Sequence, residues 1–259
     1  MDQVTFSTHG ISLDLQPELW QCSACLSWFT QNLLPESVAV DLYKTGVSGE
    51  RWSTASFRQN KCREVLEEVD TWFLPGKRVL DIGCSTGGLL DYAKERGCIT
   101  YGVEVSDACK NVLLEKGHAY ISSLDEAEAS VFDVVTGFDV IEHLYNLSSF
   151  LNRCHTILRS GGVLLILTGD ISSISARLCR SNWWYVRFPE HIIFPSRRFL
   201  SMVPKEFRLI RWVRTYASVS YRVPLIPCVR GVLGAIRQSR YTGLPSLGSD
   251  HALIVLENV

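Results

Sequence analysis

The chain has 259 residues, 46% hydrophobic and 20% charged, enough to bury one sizeable core and too apolar to stay disordered. The first twenty residues hold no Lys or Arg and no apolar core of signal-peptide length. A run such as Val163 to Leu167 is far too short to cross a bilayer, so the reading is a soluble, cytoplasmic protein. A net charge of −1 hides a split: residues 1–170 carry 13 Lys+Arg against 23 Asp+Glu, and residues 171–259 carry 13 against 4, twelve of those bases being arginine. The flat guanidinium fork suits phosphate or carboxylate, which makes the basic third a candidate surface for an anionic partner. The alternative is a solvated basic face beside an acidic one.

Nine cysteines, an odd number scattered along the chain, read as reduced and mostly buried thiols. Residues 1–50 form an irregular N-terminal segment whose one motif is Cys22-x-x-Cys25. Tetrahedral zinc needs four ligands and only His9 lies nearby, so no metal is expected. In residues 53–73, Phe57, Val65, Leu66, Val69 and Trp72 recur at helical spacing, and Pro75-Gly76 ends the pattern. Strands are then predicted at residues 78–82, 100–105, 119–122, 132–136 and 162–168. Helices are predicted at 88–96, 107–116 and 147–158, with an acidic loop at 125–128. Such alternation implies a parallel sheet covered by helices on both faces. Residues 207–217 and 251–257 read as two more strands without an ordinary crossover helix between them. Leu225, Val229, Val232, Leu233 and Ile236 share one helical face of residues 225–240, with Arg230 and Arg237 elsewhere; such a helix lies on a membrane surface, or else serves as a lid or core helix.

The stretch VLDIGCSTGGLL, Val79 to Leu90, places a strand, an acid and a glycine turn before a helix, the arrangement that binds ligands at the carboxyl edge of an α/β sheet. A dinucleotide fingerprint needs glycine where Ser85 stands, so that backbone can approach a pyrophosphate. In the frame Asp81, Gly83, Ser85, Gly87 the stretch resembles motif I of class I S-adenosylmethionine-dependent methyltransferases. The stretch FDVVTGFDVIEHLYNLSSFLNRCHTILRSGGVLLILTGD, residues 132–170, resembles the fourth strand, helix and fifth strand of the same family, including Ile141-Glu142-His143. Residues 183–200, WWYVRFPEHIIFPSRRFL, resemble a segment of its small-molecule subgroup. The likeness runs over about residues 51–217.

The resemblance implies a Rossmann-like, doubly wound, seven-stranded, mostly parallel sheet with an antiparallel strand near the C-terminus. Residues 51–259 would be the methyltransferase domain, with C-terminal insertions forming the acceptor site or lid. It implies S-adenosylmethionine as cofactor, with Asp81 orienting the methionine amine and Gly83, Cys84, Ser85 and Gly87 lying against the cofactor. Glu104 would hold the ribose, and Phe138 and Asp139 would flank the reacting centre. The activity implied is methyl transfer to an oxygen or carbon of a small, anionic sugar, lipid precursor or secondary metabolite. His143 and His191 are the candidate bases, because an imidazole titrates near neutrality; the other reading of each is a structural hydrogen bond. Tyr185 and Glu190 are candidates for shaping the acceptor pocket, and Arg197 and Arg198, opening a predicted helix, for binding its anion. Strand four ends Thr136-Gly137-Phe138-Asp139, without the Asn-Pro-Pro-aromatic signature of base methylation, so nucleic acid is not an expected partner. A nicotinamide-dependent oxidoreductase and a non-catalytic S-adenosylmethionine-binding protein remain the competing readings.

Overall fold

The computed structural model describes residues 4–6, 11–13, 17–45, 57–202, 206–217 and 248–259. Residues 1–50 are more regular than the sequence reading expected. They hold β1 (Val4–Phe6), β2 (Ile11–Leu13), β3 (Glu18–Gln21), β4 (Trp28–Gln31) and α1 (Glu36–Thr45). Strands of three or four residues are too short to show a period of two. Cys22 and Cys25 sit in the turn of the β3–β4 hairpin, closed by the Cys22 amide on the Ser27 carbonyl at 2.8 Å and the Leu26 amide on the Cys22 carbonyl at 2.8 Å. All eight described cysteines are free thiols, and six of them are buried.

The helical pattern of residues 53–73 is two helices, α2 (Phe57–Asn60) and α3 (Arg63–Trp72). Strand and helix then alternate as read: β5 (Arg78–Ile82), α4 (Gly88–Lys94), β6 (Ile99–Val103), α5 (Asp107–Glu115), β7 (Ala119–Ile121), β8 (Phe132–Phe138), α6 (Leu147–Ile157) and β9 (Leu158–Gly169). The chain continues through α7 (Ile174–Cys179), β10 (Ile193–Phe194), α8 (Arg197–Ser201), β11 (Phe207–Thr215) and β12 (His251–Asn258). The main sheet has the order β11-β12-β9-β8-β5-β6-β7. β5 to β9 are mutually parallel, and β12 runs antiparallel to both its neighbours.

Period-two alternation explains why both faces are apolar. Leu80, Val135, Leu164, Ile166 and Ile254 face α6 with Phe150, Leu151, Cys154 and Ile157. Val79, Val134, Leu165, Leu167 and Val255 face the other way, onto Val65 and Val69 of α3, Phe73 just after it, and Leu89 and Ala93 of α4. Burying each such side chain contributes about 1.5–3 kcal/mol. From β5 the chain winds outward through β6 and β7, then returns to β8 on the other side of β5. Strand order therefore reverses between β5 and β8, and the crevice at their carboxyl ends is where such sheets bind ligands.

Among the described residues no helix is long and apolar enough to cross a membrane. The amphipathic stretch 225–240, with its expected membrane or lid role, and His9 lie outside the described residues.

A close approach of β6 to the glycine turn generates a stability prediction. A Cβ on Gly102 would stand 2.6 Å from Cys84 Sγ and 3.1 Å from Leu90 Cδ1. Gly102→Ala should cost about 1–3 kcal/mol in chemical denaturation, the usual penalty of overpacking. Cys84→Ala in the same chain should recover most of it; a strictly additive double variant would show that the thiol is not the obstacle.

Candidate active site

The site is built at the carboxyl edge from β5 outward. Gly83, Ser85 and Gly87 all take positive φ, +67°, +48° and +79°, so the chain reverses through left-handed residues before α4. Gly83 and Cys84 direct their amides to the Val103 carbonyl, at 2.8 and 3.3 Å, and Gly87 to the Cys84 carbonyl at 2.8 Å. The Ser85 amide reaches Glu104 Oε2 at 2.8 Å, while the Ser106 amide reaches Oε1 at 2.9 Å. With these four turn amides engaged inside the protein, the turn is poorly equipped to cradle a pyrophosphate. It fits a cofactor without phosphate, and each oxygen of Glu104 keeps a second lone pair for a ribose hydroxyl. That distinction weighs against the nicotinamide reading.

Asp81 is buried at the reversal point, and its Oδ1 accepts the Thr136 hydroxyl at 2.6 Å from the paired position on β8. Burial pushes its pKa up to about 7, the Thr136 bond and Lys61 opposing and Glu104 adding to the rise. A ligand ammonium beside it would favour the carboxylate. Phe138 packs on Phe57, ring centroids 5.9 Å apart, and Asp139, at φ +55°, pairs with Lys61 Nζ at 3.1 Å. Lys61 also reaches the Ala217 carbonyl at 3.1 Å and lies 5.9 Å over the Phe138 ring. Sequence reasoning missed Lys61 because it falls at the break between α2 and α3, where no motif marks it.

Three residues beyond Asp139 a second cluster begins. Glu142 is fully buried; its Oε1 accepts the Tyr185 hydroxyl and its Oε2 the Thr168 hydroxyl at 3.2 Å. His143 Nδ1 lies 2.9 Å from the Glu190 carbonyl and 3.0 Å from the Tyr43 hydroxyl; His191 Nδ1 lies 2.6 Å from the Tyr185 carbonyl. Only an N–H at Nδ1 satisfies a carbonyl, so these bonds assign the tautomer that leaves Nε2 bare on both rings. Burial holds both imidazoles below their ordinary pKa, His191 far below with His143 adding to the effect. Burial, then Asp139, pushes Glu142 up. The rings stand 4.8 Å apart at 80°.

The N-terminal hairpin braces this cluster. β4 pairs with β10 just beyond His191, the Thr30 amide and hydroxyl both bond the Ile192 carbonyl, and the Ile192 amide bonds the Glu142 carbonyl at 2.7 Å. A boundary at residue 50 is therefore a division of sequence that the packing crosses.

Several sequence-read roles change. The Cys84 side chain turns inward against Gly102, Leu90 and Leu113, leaving only its backbone for a cofactor. A Cβ on Gly83 would meet Val140 Cγ2 at 2.7 Å, so that glycine serves the turn's own packing besides any ligand. Tyr185 is buried, its hydroxyl committed to Glu142, and acts on that carboxylate rather than as an open pocket wall. Glu190 is 8% exposed and faces Arg187 at 3.9 Å. Arg197 and Arg198 open a helix of five residues whose Phe199 amide is already capped by Ser196. Arg197 lies 6.0 Å over Trp212, whose partner Ile254 pairs with Ile166, three residues short of the β9 end, so it sits beside the outer strand instead of at the crevice.

Fold and site together define a class I S-adenosylmethionine-dependent methyltransferase. The model of the family described as a methyltransferase domain matches residues 54–206, and the chain belongs to that family. It is similar to the ubiquinone biosynthesis O-methyltransferases of Hahella chejuensis, 36% identical over 105 residues covering 37% of this chain and 44% of that protein, and of Dechloromonas aromatica, 33% identical with 49% and 62% covered. The chain thus spans about half the length of the curated relatives it matches. In fold it is similar to a SAM-dependent methyltransferase from Archaeoglobus fulgidus, with TM-score 0.52, 18% identity and 75% and 91% of the two chains covered. It is likewise similar to geranyl diphosphate C-methyltransferase from Streptomyces coelicolor A3(2), with TM-score 0.53, 17% identity and 74% and 76% covered.

Two predictions follow from the cofactor half. A carboxyl whose folded pKa is raised stabilises the unliganded fold below its ordinary pKa and ceases to do so as pH rises through about 7. A cofactor ammonium needs the ionised form, so affinity for S-adenosylmethionine should rise with pH, by up to about tenfold per unit below pH 7. Calorimetric titration across that range should show the slope in the native protein and none in Asp81→Asn. Glu104→Ala should both weaken cofactor binding and destabilise the protein by about 1.5–3 kcal/mol, because its carboxylate holds two backbone amides. Thermal denaturation without cofactor isolates the second effect.

Proposed function

We propose that the protein transfers the methyl group of S-adenosylmethionine to an oxygen of a small acceptor. The observation that carries this reading is the pair His143 and His191, each with Nδ1 held by a backbone carbonyl and Nε2 bare, His143 lying four residues beyond Asp139 at the cofactor edge and His191 packed against it. The acceptor oxygen bonds to the methyl carbon, the carbon–sulfur bond breaks onto sulfur, and the acceptor proton passes to an imidazole. Asp81, Glu104 and the glycine turn hold the cofactor; Asp139 and Phe138 mark the boundary between its methyl end and the acceptor. The curated relatives are named for ubiquinone biosynthesis O-methylation, which favours oxygen over carbon and a lipophilic acceptor.

An anionic acceptor draws little support from the described arginines. Arg211 pairs with buried Glu68 at 3.0 Å, Arg214 with buried Asp170 at 3.4 Å, and Arg208 with Glu257. These three described arginines thus pair with acids of their own chain.

Labelled S-adenosylmethionine with a panel of phenols, catechols and sugar hydroxyls tests the reading. Transfer should appear with a hydroxylated acceptor, and His143→Ala should lower kcat by about 10²–10⁴-fold with the cofactor constant unchanged. Methylation at full rate by that variant would remove His143 from the proton's path.

A further inference from the structure

We infer that His251, oriented by Asp250, recognises a hydrogen-bond donor on the methyl acceptor at a point remote from the methylated atom. It thereby selects acceptors that carry a second hydroxyl or N–H still uncapped. This role rests on the methyl-transfer reading and adds a specificity determinant to it. Among the described residues three imidazoles gather at this edge of the sheet, and they are held differently. His143 and His191 are anchored on backbone carbonyls, His251 on a carboxylate.

Strand register gives its position. Cross-strand partners share a face of the sheet, as do residues two apart on one strand. Phe138 of β8 pairs with Leu167 of β9, and Gly169, two residues further, pairs with His251 of β12. Phe138 and His251 therefore stand on the same face at the carboxyl edge, two strand spacings or roughly 10 Å apart across the sheet. In the proposed site Phe138 marks the methyl end of the cofactor, and His251 a second point on the acceptor side. Aromatic neighbours fix the plane of its ring: Trp184 stacks on it at 26° with centroids 5.7 Å apart, and Tyr185 meets it edge-on at 82° and 4.6 Å.

Asp250 sets what that ring can read. Its Oδ2 accepts the indole N–H groups of Trp183 at 3.0 Å and Trp184 at 2.6 Å, and its Oδ1 lies 2.9 Å from His251 Nδ1. An ionised carboxylate only accepts, so Nδ1 carries the hydrogen and Nε2 presents a lone pair. His251 is fully buried, and its Nε2 has no hydrogen-bond partner among the described residues. A buried lone pair without a donor is costly, so an O–H or N–H delivered to it is favoured. A methoxy or carbonyl oxygen placed there sets acceptor against acceptor and is rejected. The neighbouring reactions follow in class: a step that installs the remote donor precedes this enzyme, and any step that caps that donor comes after it.

The test uses the full chain, saturated with S-adenosylhomocysteine and carrying nitrogen-15 in its histidine rings. Two series of rigid two-ring phenols, built on biphenyl and on naphthalene, are titrated as matched sets: one hydroxyl, a hydroxyl at each end, and a hydroxyl with a methoxy at the far end. The diol of at least one series should bind at least about tenfold more tightly than its two counterparts. In His251→Phe, which keeps a ring between Trp184 and Tyr185, the three members should bind within about twofold of one another, with adenosylhomocysteine affinity unchanged. Nitrogen spectra should show the hydrogen on Nδ1 of His251 and an Nε2 resonance that moves with the diol and not with the methoxy compound. If His251→Phe loses adenosylhomocysteine, the native spectra decide. No preference for either diol in the native protein, a preference that persists in folded His251→Phe, or a hydrogen on Nε2 overturns the role of His251. Binding is read without turnover. A diol preference through His251 with no methyl transfer to any hydroxylated compound therefore leaves the recognition site standing and counts against the methyl-transfer reading, whereas methylation of phenols without that preference does the reverse.

Discussion

The carboxylate of Glu104 is the fastening on which the cofactor half depends. Left-handed backbone at Ser85 is unfavourable for a residue with a side chain and persists only where neighbouring bonds require it. Glu104 supplies one of those bonds, to the Ser85 amide, and ties the same carboxylate to the turn that starts α5. The ends of β5 and β6 are thereby locked in register, with Gly102 making room for Cys84 between them. Because the bonds are made by backbone amides, the turn's shape does not wait for a ligand. A pre-formed pocket pays less ordering entropy on binding.

The acceptor half is fastened by a different carboxylate. Glu142 follows directly from the end of β8, takes hydroxyls from β9 and from residue 185, and through its carbonyl receives the Ile192 amide. Aromatic packing of Tyr185 on His191 and His251, at 4.4 and 4.6 Å between centroids, closes the same region. Asp250 extends the polar network by accepting the indole N–H groups of Trp183 at 3.0 Å and Trp184 at 2.6 Å. Buried networks of this kind specify one arrangement, since any loosened member leaves an unpaired polar group in an apolar setting. The N-terminal hairpin belongs to this construction, because β4 and Thr30 hold the strand that carries the chain away from His191.

Much of the fold was legible in the residues. Continuous apolar runs such as Val163–Leu167 announce strands buried on both faces, and glycines at 83, 87, 97 and 117 fall at turns where φ is positive. Asp81 could be singled out because motif I is local, with acid, turn and helix within a few residues, and Glu104 because it closes the next predicted strand. The irregular reading of residues 1–50 failed for the opposite reason. Their strands are short, and β4 is stabilised by β10, more than 160 residues away. Composition likewise counts arginines without seeing which of them pair within the chain, as Arg211 does with Glu68 and Arg214 with Asp170.

The sequence by itself determined the architecture and the order of strand and helix, which are written in local spacing, and its resemblance to motif I carried the cofactor class. Only tertiary structure decided that Cys84 is core, that Arg197 lies against Trp212 and that Lys61 faces Asp139. It alone brought Glu142 and His143 beside His191, with Tyr43 and Tyr185 arranged around them. The physical reason is distance along the chain. Period and propensity act over a few residues, whereas the partners of a buried polar group are set by which strands and loops the packed sheet carries to the same edge.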